Sequence, residues 1–148
     1  MEQELCIRRL SSGETTTAIA LAWKVFTEYE APDYSEEGIE EFHRSIQDEG
    51  YLSSLCAYGA YLSDALVGMI ATRKNGTHIA LFFVNGAHHR RGIGKRLFQA
   101  ALSDCPADRM TVNSSPYAVP VYHRLGFSDI SAEQTVSGIR FTPMEYKR

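Results

Sequence analysis

Cysteine is scarce in this chain of 148 residues. Cys6, Cys56 and Cys105 are scattered, form no CxxC pair and leave an odd thiol, so a disulfide framework is excluded. Their pattern suits a reducing compartment, with each sulfur a small buried hydrophobe. Long hydrophobic runs are missing as well. The longest, Ile79 to Val84, is far short of a membrane span, and the opening Met-Glu-Gln-Glu-Leu-Cys is acidic where a signal peptide is basic and then apolar. The expectation is a soluble, cytoplasmic protein without a membrane partner. Positive charge is not in excess either: 15 Lys and Arg stand against 18 Asp and Glu, a formal net charge of −3. A surface built to track nucleic-acid phosphates is usually basic over a whole face, so no nucleic-acid partner is expected.

What is present describes an ordinary globular chain: 44% hydrophobic residues, eight Tyr and seven Phe. No linker, repeat or low-complexity stretch divides it, and one domain over residues 1–148 is expected. A domain of this size buries roughly 68–70% of its unfolded surface and needs no metal or staple. Charge is uneven, however. Residues 28 to 49 hold nine of the 18 acidic residues and only Arg44 among the basic ones. That stretch reads as a solvated helix face or as an acidic lip for a cationic substrate.

Periodicity sets the order of elements. Leu5 to Leu10 reads as a strand, Thr15 to Glu30 as a helix stopped by Pro32, and Ser35 caps a second helix with Ile39, Phe42, His43 and Ile46 on one face. These two helices are expected to pack side by side. Leu52 to Tyr61, Ala65 to Arg73 and Thr77 to Val84 then read as an antiparallel meander, with Asn75-Gly76 as a tight turn. Helical spacing returns from Gly92, Arg109 to Val112 is a short strand, and Pro116 to Leu125 is a helix kinked or delayed by Pro120 and closed by Gly126. Phe127 to Ile130 and Ile139 to Tyr146 finish as strands. Ser131 to Gly138 is left as a hairpin loop at a dimer interface or a substrate lid. The fold class is α+β, a mixed sheet covered by helices.

The sharpest local feature is His88-His89-Arg90-Arg91-Gly92-Ile93-Gly94-Lys95-Arg96, a glycine turn between an apolar strand and a helix. Free backbone N–H groups there sit at the positive end of a helix macrodipole, and the glycines let an anion come close. Arg90, Arg91, Lys95 and Arg96 reinforce the sign. A Walker loop is absent, because Gly94-Lys95 is followed by Arg96 and no glycine lies five residues before Gly94. A dinucleotide fingerprint fails too, since Leu97 stands where its third glycine belongs. His88 and His89 are adjacent, without metal-ligand spacing, so no metal is expected.

His89-Arg90-Arg91-Gly92-Ile93-Gly94 resembles the pyrophosphate loop of the GNAT superfamily of N-acetyltransferases, [Gln/Arg]-x-x-Gly-x-[Gly/Ala], with His89 in place of the usual Gln or Arg. The element order and the late Tyr122-x-x-Leu125-Gly126-Phe127 resemble the same family. The resemblance implies a mostly antiparallel sheet of about seven strands flanked by about four helices. It implies acetyl-CoA as co-substrate, held by the main chain of Phe83 and Val84, by His89, Arg90, Arg91, Gly92, Ile93, Gly94 and Lys95, and by Asn113. Tyr122 is the implied general acid to the CoA thiolate, with Tyr117 as its backup. A small-molecule or peptide amine is the implied acceptor, walled by Phe26, Tyr29, Tyr34 and Phe42. Glu28, His78 or a water chain is left as the base, and a homodimer is open. The other readings are a non-catalytic acyl-CoA-binding module of the same fold and a nucleotide-phosphate enzyme, the latter disfavoured by the missing Ser or Thr after Lys95.

Overall fold

Residues 4–89 and 91–148 are described by a computed structural model. Arg90, one of the expected donor-binding residues, lies outside the described residues. The chain runs β1 (Leu5–Arg9), α1 (Thr15–Tyr29), α2 (Glu36–Ser45), α3 (Glu49–Ser53), β2 (Cys56–Leu62), β3 (Ala65–Arg73), β4 (His78–Val84), α4 (Ile93–Ser103), β5 (Arg109–Ser114), α5 (Val119–Leu125), β6 (Ser128–Asp129), β7 (Gln134–Val136) and β8 (Ile139–Lys147). The eight strands order as β1-β2-β3-β4-β5-β8-β6, with β7 on β8, and all pairs are antiparallel except β4 with β5.

The expected fold class is what the chain adopts, with one more strand and one more helix than anticipated. The extra helix is α3. Leu52 to Leu55 read as the start of a strand, but the Asp48 side chain accepts from the Tyr51 N–H at 3.0 Å and caps a short helical turn, delaying β2 to Cys56. The extra strand is β7, which pairs with β8 across Ser137 and Gly138, both at positive φ. The 131–138 segment therefore contains a two-residue hairpin turn. Ser35 caps α2 as its sequence suggested, accepting from the Gly38 N–H at 3.3 Å.

Two apolar clusters lie on opposite faces of the sheet. One, around Ala22, Val25, Phe26, Met69, Leu81 and Phe83, is covered by α1 and α2. The other, around Ile70, Ile79, Leu97, Phe98, Met110 and Tyr122, is covered by α4 and α5. Burying a side chain such as Phe26, with no exposed surface, contributes about 1.5–3 kcal/mol. The expected side-by-side packing of α1 and α2 is seen in the Phe26–Phe42 stack, with ring centroids 4.0 Å apart.

Residues two apart on a strand normally face the same way, yet Ile79 packs on one face and Leu81 on the other. The cause is a bulge. Ala71 pairs with Leu81 and Thr72 with Ile79, so Ala80 is an extra residue in β4. The parallel ladder of β4 with β5 ends at the same place, after His78↔Thr111 and Ile79↔Val112. Beyond it the sheet opens.

Candidate active site

The opening is bounded on one side by the glycine turn. Val84 ends β4, the Asn85 side chain accepts from the Ala87 N–H at 3.0 Å, and the His89 Nε2–H donates to the Val84 carbonyl at 2.7 Å. His89 thus staples the loop to the strand. Gly92 starts α4 with φ at 79°, the left-handed region that favours glycine, and no side chain caps the helix. The first N–H with an acceptor in the helix is that of Arg96, bonded to Gly92 O at 3.1 Å. The amides of Ile93, Gly94 and Lys95 precede it and are the orphan donors of a helix start.

A groove of about 530 Å³ runs from this helix start toward α5. His89, Gly92, Ile93, Gly94 and Lys95 line it, and so does Arg124, which no sequence pattern marked. Arg91 is not in its wall. Its guanidinium donates to His88 Nδ1 at 2.9 Å instead, and His88 faces the groove. Arg96 points away and reaches Leu5 O at 3.4 Å.

The open edge of β4 needs a correction. Asn85 N–H donates to Val67 O at 2.8 Å, so the two-residue alternation turns the main chains of Phe83 and Leu81 toward β3 as well. The groups facing the opening are those of Phe82 and Val84. Phe83, expected to offer its main chain to the opening, turns that main chain to β3, though the residue lines both cavities.

Tyr122 comes from α5. Pro120 sits at the second position of that helix, where no helical donor is needed. Ser115 to Ala118 form a preceding turn rather than the helix start that Ser-Pro suggested, with Ala118 N–H donating to Ser115 O at 3.1 Å. The Tyr122 ring is 5% exposed and meets Phe82 and Phe127 edge-on, at 6.0 and 5.3 Å between centroids. Burial, then the nearby Glu30 charge, pushes its phenol well above the usual range, so the proton stays on oxygen at neutral pH. The backup, Tyr117, is 41% exposed, packs tilted against Tyr29 at 5.2 Å and also lines the groove.

A second, inner chamber of about 180 Å³ lies on the α1–α2 side of the opening. Phe26, Tyr34 and Phe42, expected to wall an acceptor, line it, and so does Asn113, which the resemblance placed on the donor instead. Three other expectations fail there. Tyr29 stacks on His89 at 5.0 Å, its hydroxyl filling the space beside Gly86, and so braces the loop. Glu28 is exposed on the outer face of α1 and lines neither cavity. His78 is buried before the bulge, with Nδ1 2.8 Å from Thr111 Oγ1, and lines neither cavity. Burial, then Arg73 and Lys74, pulls its pKa down to about 4.

The carboxylate that does reach the opening is Glu30, at the C-terminal cap of α1. Groove and chamber share Glu30, Phe82, Phe83, Ala118 and Tyr122. Burial pushes the Glu30 pKa up to about 7, the Ser115 hydroxyl pulls it the other way, and Asp33 raises it slightly. Of the nine acidic residues between 28 and 49 it alone lines either cavity, so the acidic lip is a single group. No sequence signal separates it from its neighbours. Among the described residues no three His, Cys, Asp or Glu side chains gather as a metal-binding group, and no helix is long and apolar enough to cross a membrane.

The fold is similar to a GCN5-related N-acetyltransferase structure from Rhodopseudomonas palustris, also described as a class-II aminotransferase, at 23% identity over 100% of this chain and 98% of that one, TM-score 0.85. It is similar to the PaiA N-acetyltransferase from Thermoplasma acidophilum, solved in complex with coenzyme A, at 21% identity over 98% and 99% of the two chains, TM-score 0.77. Apo-form YjaB from Escherichia coli matches at 21% identity over 97% of each chain, TM-score 0.75. At these identities the likeness is one of fold. No curated protein matches the sequence. The family model of the acetyltransferase (GNAT) domain, however, matches residues 30–148, which takes in the glycine turn, the bulged strand and α5 with Tyr122. On that match the chain belongs to the GNAT acetyltransferase family.

Proposed function

We propose that the protein transfers an acetyl group from acetyl-CoA to a primary amine of a small molecule or peptide, by direct attack, with Tyr122 as general acid. The observation that carries this reading is the position of Tyr122, a buried phenol in the shared wall of two cavities, one ending at uncapped helix amides and the other walled by aromatic rings and holding a single carboxylate. A pyrophosphate suits the amides of Ile93, Gly94 and Lys95, with Lys95 and Arg124 adding charge. The main chain of Phe82 and Val84 suits the amide-bearing pantetheine arm, and a donor at that edge would stabilise negative charge growing on the thioester oxygen. The Val84 carbonyl is already engaged by His89, so its N–H is the group on offer. At the sulfur, Tyr122 presents its O–H to the thiolate as the C–S bond breaks. Its raised pKa suits a group that must hold its proton until charge develops there.

Two measurements test this. Calorimetric titration with acetyl-CoA, with ATP and NAD as controls, is expected to give micromolar binding of acetyl-CoA alone. In an amine screen read by thiol release, Tyr122→Phe is expected to lower turnover by about 10²–10⁴ while acetyl-CoA affinity stays nearly constant. Unchanged turnover removes Tyr122 from the mechanism. Binding without thiol release for any amine would instead favour a non-catalytic acyl-CoA-binding module.

A further inference from the structure

The main chain of Glu30 is held on both sides, and its carboxyl is met by the Ser115 hydroxyl. Its N–H donates to Phe26 O at 2.9 Å, and its carbonyl accepts from the Asp33 N–H at 3.0 Å. Asp33 is in turn held from across the molecule, its carbonyl accepting from Arg140 Nη1 of β8 at 3.0 Å. The carboxylate lies where groove and chamber meet, in the same shared wall as Tyr122. The titratable groups facing it are Asp33 and Tyr34 from its own turn and Tyr122 from α5, with the Ser115 hydroxyl from the β5–α5 turn. Among the described residues no Lys, Arg or His lines the chamber.

The remaining walls are mostly apolar or phenolic, with Ser45 and Asn113 as neutral polar side chains and no second charge among the described residues. Phe26 and Phe42 are stacked, Phe83 meets Phe42 edge-on at 5.8 Å, and Ile46 and Ile139 close the sides. One carboxylate can partner one ammonium. A second cation pushed into so small a space would lose its hydration without a second carboxylate to replace it.

We infer that Glu30 takes the proton from the acceptor's ammonium group, and that this acceptor is a compact primary monoamine with an apolar or aromatic body. The inference rests on the acetyltransferase reading. The ammonium enters against the ionised Glu30 carboxylate and gives it one proton, leaving a neutral amine. The nitrogen lone pair forms the C–N bond to the acetyl carbon, and the C–S bond breaks with its electron pair on sulfur. Tyr122 gives its proton to that sulfur and recovers one from the acetylated nitrogen. Glu30 returns its proton to solvent, so the balance is ammonium plus acetyl-CoA to amide, CoA thiol and one proton. A carboxylate of ordinary pKa is a poor base for an amine, and the burial that lifts Glu30 to about 7 brings it close to working pH.

The test uses acetyl-CoA with benzylamine and isobutylamine against 1,4-diaminobutane and a lysine-containing peptide, read by thiol release from pH 5.5 to 9. The wild type is expected to favour the two monoamines at least about tenfold in kcat/KM, with an acidic limb near pH 7. Glu30→Gln is expected to lose about 10²–10⁴ in kcat and to lose that limb, while calorimetry gives wild-type acetyl-CoA binding. Glu30→Asp should restore part of the rate together with the limb. A Glu30→Gln enzyme with the wild-type limb overturns the base, and a preference for the diamine or the peptide overturns the acceptor class. A wild type that binds acetyl-CoA but acetylates none of the four overturns the inference while sparing the donor site. One that does not bind acetyl-CoA brings down the acetyltransferase reading beneath it.

Discussion

At the scale of single residues, two positions separate what geometry requires from what charge supplies. Gly92 holds φ at 79° with nothing within 4 Å of where a Cβ would stand, so backbone strain alone decides a substitution there. Gly92→Ala is expected to cost about 1–2 kcal/mol at that turn. Because the strain falls on the start of α4, acetyl-CoA affinity should drop about tenfold in calorimetry with a smaller change in kcat. The second position is Glu28, whose side chain lies in solvent two residues from Glu30. Glu28→Gln is expected to change kcat and KM less than about twofold, beside the large loss for Glu30→Gln, since the two carboxylates differ in surroundings and not in type. The sequence marks Gly92 through its neighbours but treats Glu28 and Glu30 alike. The 3.6-residue helical period puts them on different sides of the end of α1, and only one side has a cavity.

Between elements, the contact to probe joins the β7–β8 turn to α2. A Cβ added at Gly38 would collide with the Gly138 carbonyl, a backbone atom that cannot swing aside. The same hairpin brings Ile139 to the chamber wall and Arg140 to Asp33. Gly38→Ala is therefore expected to destabilise the protein by about 1–3 kcal/mol, seen as a Tm lower by several degrees. Displacing the hairpin should also raise KM for the amine and leave acetyl-CoA binding unaffected, because no residue of the hairpin lines the donor groove. The sequence left residues 131–138 open between a hairpin loop and a lid. That the turn packs on a glycine one hundred residues earlier is a long-range fact that no local pattern encodes.

For the whole molecule, two buried groups pull the pH dependence of stability in opposite directions. Glu30 is raised, so the stability linked to it is fully present below its unfolded value of 4.5 and is lost as pH rises through about 7. His78 is lowered, so its share is fully present above 6.5 and is lost as pH falls through about 4. Across the same window the two effects offset. Glu30→Gln breaks the balance: its Tm relative to wild type is expected to rise between pH 4.5 and 7, by an amount equivalent to about 3 kcal/mol at most. A Tm difference that stays flat with pH would mean that the Glu30 carboxyl is solvated.

Periodicity, capping residues and turn glycines are local properties, and they determined most of the elements, the antiparallel meander and the glycine turn, while the candidacy of Tyr122 came from a family resemblance. Gly126, for instance, ends α5 at φ 107°, as a helix closed by glycine should. The tertiary structure decided what local pattern cannot carry. One inserted residue at Ala80 reverses the parity of β4, so Phe82 rather than Phe83 turns its main chain to the opening. The end of a single parallel ladder makes room for both cavities. The burial that lifts Glu30 comes from residues far away in the chain, because desolvation is set by whatever the fold brings near a charge and not by the residues beside it in sequence.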